Sequence, residues 1–78
     1  MIKLIQVLGA ENARVLEAKV AAKVGKLGLG AETGAAVVEK VLGEFAAVEQ
    51  KGGRVRCRFH FAMAAARRAI AQIGKEVL

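Results

Sequence analysis

The sequence predicts an α/β domain: a small, mostly parallel sheet with helices packed against it, in the order β-α-(β?)-α-β-α. Three observations carry that expectation. The stretch from Arg54 to Phe61 alternates strictly, with Arg54, Arg56, Arg58 and His60 at one set of positions and Val55, Cys57, Phe59 and Phe61 at the other. A period of two is the spacing of a half-buried strand. Residues 2–8 (IKLIQVL) are almost wholly apolar and rich in β-branched types, as a central parallel strand buried on both faces would be. Around these two segments the apolar residues recur at intervals of three and four, the spacing of helices.

The first segment is closed by Gly9. From about Glu11 to Leu27 one apolar stripe forms from Ala13, Leu16, Val20, Val24 and Leu27, with Arg14, Glu17, Lys19, Lys23 and Lys26 largely off it. Asn12 is the expected N-cap, and Gly28 is the expected stop. Residues 29–32 read as a loop, since two nearby glycines weaken a strand; a short strand is the alternative. Thr33 is the expected cap of the next helix, which runs to about Gln50 with Val37, Val38, Val41, Leu42, Phe45 and Val48 inward. Lys51-Gly52-Gly53 then forms a turn in which Gly52 takes the left-handed conformation. The last helix spans about Ala62 to Val77, with Met63, Ala66, Ile70, Ile73 and Val77 as its stripe and Arg67 and Arg68 near its exposed side. Strands separated by helices imply parallel pairing with right-handed crossovers. Two strands alone make a poor sheet, so residues 29–32 or a second chain would have to add another.

The 78 residues suffice for one small domain, 1–78, whose core is thin: there are three Phe and no Trp or Tyr. Dimerisation is a physical way to thicken such a core. A net charge of +6 favours polyanionic partners or serves solubility. No apolar run approaches the ~20 residues of a membrane span, and no basic segment followed by a hydrophobic one marks a signal peptide. The expectation is no membrane association. A single Cys excludes an intramolecular disulfide and fits a reducing compartment, with cytoplasm the default. Ser, Asp, Pro, Tyr and Trp are all absent, although Pro alone would be expected about four times at average usage. An engineered or simplified sequence, a biased genome and an overlapping reading frame all fit that reduced alphabet.

The run Gly9-Ala10-Glu11-Asn12-Ala13-Arg14-Val15-Leu16-Glu17, following an apolar segment, resembles the start of the small thioredoxin-like proteins of archaea and bacteria. Leu27-Gly28 and Ala31-Glu32 extend the resemblance over residues 2–32. It implies a thioredoxin-like fold, trimmed or degenerate here. The redox cysteines of that family would fall at Ala10 and Ala13, and the cis-proline before its third strand has no counterpart in a chain without Pro. Thiol–disulfide exchange needs a thiolate, so the resemblance implies a redox-inactive member.

The side chains that support catalysis are scarce, and the expectation is a protein without enzymatic activity. On a straight strand Cys57 and His60 would face opposite ways, leaving Cys57 as a small core residue. One His, one Cys and no Asp provide no three- or four-ligand metal set within a chain, and no cofactor is expected. Gly28-x-Gly30-x-x-x-Gly34 follows a helix and lacks the dinucleotide spacing, so a cap and loop explain it.

What remains is the basic surface. No acidic residue lies between Gln50 and Lys75, whereas Lys51, Arg54, Arg56, Arg58, His60, Arg67 and Arg68 all do. Arginines on alternate strand positions would sit about 6.5–7 Å apart, close to every second phosphate of a nucleic-acid strand. With Phe59 and Phe61 turned inward, no stacking platform accompanies them. These seven residues are the candidate nucleic-acid-binding set, non-specific and phosphate-directed. A solvated edge strand that blocks aggregation and a surface that pairs with a second subunit are the alternatives. Two functional classes therefore stand: a small basic binding module, and a redox-inactive or designed scaffold that binds no ligand and self-associates.

Overall fold

The computed structural model describes residues 3–77 and contains four helices: α1 (Leu4–Leu8), α2 (Ala10–Lys26), α3 (Ala31–Gln50) and α4 (Arg58–Val77). Among the described residues there is no strand, which overturns the α/β expectation and the thioredoxin-like fold with it. The protein is a small all-α bundle. Short connections at 27–30 and 51–57 force α2, α3 and α4 to run alternately up, down and up. The short helix α1 packs on α2 and α4 at the end where α2 begins.

The two segments read as strands fail for different physical reasons. Ile2 lies outside the described residues, Lys3 is the extended N-cap, and the rest of the first segment is α1. Leu4 and Leu8 are buried while Ile5 between them is 54% exposed. A spacing of four places the two leucines on one helical face. The Lys3 N–H donates to Gln6 Oε1 at 2.8 Å, satisfying one of the free donors at the helix start. An apolar run this short has no period that separates a buried strand from a buried helical turn.

The basic segment is divided. Residues 53–57 are irregular and Arg58–Phe61 form the first turn of α4. The Phe61 N–H donates to Cys57 O at 3.0 Å, so the helical ladder starts on Cys57. Continuing past Phe61, the pattern becomes Ala62, Ala65, Ala66 and Ala69, all buried, at the i, i+3, i+4, i+7 spacing of a helix face. That longer run outweighs eight alternating residues. With the ladder broken at Cys57, the thiol is exposed, not a core residue as the strand placed it.

Both of these connections leave their helices through left-handed glycines. Gly28 (φ 76°) and Gly52 (φ 73°) follow α2 and α3. In the first, Leu29 N–H bonds Val24 O at 3.2 Å and Gly28 N–H bonds Gly25 O at 3.0 Å; in the second, Gly53 N–H bonds Val48 O at 3.0 Å and Gly52 N–H bonds Glu49 O at 2.9 Å. This paired 6→1 and 5→2 pattern is the Schellman motif, and it explains why the two glycine stops were legible. The expected N-caps were not: Gly9 and Gly30 occupy those positions, with Asn12 and Thr33 inside the helices.

The core joins Leu4 and Leu8 of α1, Ala13, Leu16, Val20 and Val24 of α2, and Val37, Val41 and Phe45 of α3 to the alanine face of α4. Phe45 meets Phe61 with ring centroids 4.7 Å apart. Of the expected α4 stripe, Ala66 is buried, Met63, Ile70 and Ile73 flank the core as half-buried residues, and the Val77 side chain lies outside the described residues.

Candidate anion-binding surface

Five of the six arginines fall between residues 54 and 68, and the fold gathers them differently from a strand face. Lys51 ends the α3 cap, Arg54 and Arg56 lie on the irregular connection, and Arg58 and His60 belong to the first turn of α4. All five are exposed. They fall at the end of the bundle where α3 stops and α4 starts, and Arg58 Nη1 donates to Val7 O of α1 there at 3.1 Å. That bond uses one of five guanidinium donors. The others remain available.

Arg67 and Arg68 stand apart, midway along α4. Arg67 is seven residues beyond His60 and thus on the same outer face, about 10 Å further along the axis. Arg68 forms an ion pair with Glu44 of α3, with both side chains substantially exposed. It is the one cation of the expected set that pairs with a carboxylate among the described residues. The set of seven therefore becomes a compact group of five, an in-line Arg67, and an Arg68 already neutralised.

Helix electrostatics separates this group from ordinary surface charge. The first turns of α2 and α3 carry Glu11 and Glu32, and the last turn of α2 carries Lys23 and Lys26. Those signs complement the helix dipole. With Lys19 they form an exposed lysine row on α2 that helix stability alone accounts for. The first turn of α4 has no acidic residue and carries Arg58 instead, positive charge on the positive end of the dipole. An anion bound there would relieve that repulsion.

Two concavities border the bundle. One, of about 630 Å³, lies beside the basic group and is lined by parts of α1, α3 and the 53–58 segment. The other, of about 550 Å³, is a mainly apolar groove between α2 and α3 that includes Val20, Val24 and Val38. Neither had a sequence signal, since each is made by residues brought together only by packing. Among the described residues no group of three or more His, Cys, Asp or Glu could hold a metal ion, and no helix is long and apolar enough to cross a membrane. No family model, curated protein or solved structure matches the chain.

Proposed function

We propose that the protein is a small, non-enzymatic basic binding module that contacts nucleic-acid phosphate backbones through Lys51, Arg54, Arg56, Arg58 and His60, with Arg67 extending the track. The observation that carries this reading is the exposed group of cations on the α3–α4 connection and the α4 start, none paired with a carboxylate among the described residues. Binding of this kind is driven by counterion release and carries little sequence information.

The test is fluorescence anisotropy with labelled oligonucleotides at low and near-physiological salt, under reducing conditions because Cys57 is exposed. For a single strand, each phosphate neutralised contributes a slope of about −0.7 in log K against log salt. About four contacts then give a slope near −3. Arg56→Glu should weaken binding to every sequence by roughly tenfold, as expected for reversal of one contact in a phosphate track. Unchanged affinity in the variant, or no binding at low salt, sinks the reading.

A second reading, a ligand-free scaffold that self-associates, draws on the α2–α3 groove, where half-buried Leu29 and Val38 border an open, mainly apolar concavity floored by the buried Val20 and Val24. Sedimentation equilibrium separates the two: a dimer that ignores oligonucleotides favours the scaffold.

A further inference from the structure

The 630 Å³ concavity lies within the basic group, since Arg54 and Arg58 line both. The apolar part of its lining comes from Val7 of α1, Phe45 and Val48 of α3, and Val55 of the connection. Two exposed polar side chains, Gln6 and Glu49, complete it. Its volume falls in the range of small-ligand sites, about 300–1,000 Å³. Gly53 helps to shape it. A Cβ there would stand 3.1 Å from Val48 Cγ1, a tight contact to which the Val48 side chain would have to yield, so glycine lets the chain pass close over Val48 before Arg54.

Building on the phosphate-binding reading, we propose that this concavity receives the base of an unpaired nucleotide while Arg54 and Arg58 hold its phosphate. The chemistry of the lining matches that ligand in three parts. Val7, Phe45, Val48 and Val55 provide a half-open apolar enclosure for a base taken out of its stack. Gln6 offers both a donor and an acceptor, and Glu49 an acceptor, for the hydrogen-bonding edge of the base. The guanidinium of Arg58 is held in place by its bond to Val7 O at 3.1 Å, which fixes a phosphate-binding fork beside the enclosure. Two arginines against one glutamate leave the lining with one net positive charge, suited to a phosphodiester. The enclosed base replaces the exposed aromatic platform that this surface lacks.

The test compares a labelled single strand with an abasic strand of equal length, which carries the same phosphates and no bases. The intact strand should bind about tenfold tighter, the scale of one enclosed base. Val55→Leu, which narrows the concavity without adding an aromatic ring and keeps every cation, should bring the ratio of intact to abasic affinity toward one. Circular dichroism establishes that the variant remains helical, and the wild-type comparison stands without it. Equal binding of intact and abasic strands by the wild type overturns the base pocket while leaving backbone contact intact. No binding of either strand overturns both.

Discussion

Arg58 does two things at the start of α4. Its bond to Val7 O ties the connection to α1, and its charge joins that of Arg54 and Arg56 at one end of the bundle. Cys57, immediately before it, shows how sharply one backbone change alters a residue. On a strand its thiol would be enclosed; as the residue on which the α4 ladder begins, it is exposed. A thiol reagent should therefore label Cys57 fully in the native protein without denaturant. Protection that is lost only on unfolding would contradict this placement. Arg68 and Glu44 carry less weight. Exposed ion pairs contribute about 0–1 kcal/mol, so their contact affects the free charge more than the stability.

At the scale of elements, α4 is held by small side chains. Ala62, Ala65, Ala66 and Ala69 are buried, which brings its backbone close to the rest of the core, while Phe59, Met63, Ile70 and Ile73 fill the flanks. Enlarging a residue on the close face has no space to use. Ala65→Leu should cost about 1–3 kcal/mol or more through overpacking, seen as a lower midpoint in chemical denaturation; an unchanged midpoint would show that α4 is not seated on that face. The same alanines explain what could be read from the sequence. In α2 and α3, Leu16, Val20, Val24, Val37, Val41 and Phe45 are large enough to mark the buried stripe, and Gly28 and Gly52 mark where it stops. In α4 the inward residues are alanines, which carry little hydrophobic contrast, so the cationic alternation of Arg54–His60 dominated its start. In α1 only Leu4 and Leu8 reveal the face, two positions in a run where every period fits. The basic residues were legible as a set because charge needs no fold to be counted. Their grouping, the pairing of Arg68 with Glu44, and the concavity between α1 and α3 depend on tertiary packing and had no linear signature.

For the whole molecule, the architecture is a short helix across one end of three antiparallel helices, with a radius of gyration of 12.3 Å. A chain of this size buries a modest share of its surface, and its largest fully buried side chains are Leu16, Val37 and Val41. The cations are distributed unevenly over that frame. Lys23 and Lys26 complement the end of α2, whereas Lys51, Arg54, Arg56 and Arg58, with the imidazole of His60 beside them, concentrate at the opposite end without compensation from the α4 first turn. Association driven by phosphate contacts follows this distribution and not net charge alone, so its footprint should fall on the α3–α4 connection and the start of α4. The most direct measurement is a backbone amide chemical-shift titration of the reduced protein with a short single-stranded oligonucleotide. Perturbations should concentrate on residues 51–60, continue to Arg67, and leave Lys19, Lys23 and Lys26 unmoved. Shifts centred on the lysine row of α2, or spread evenly over every exposed cation, would contradict the account.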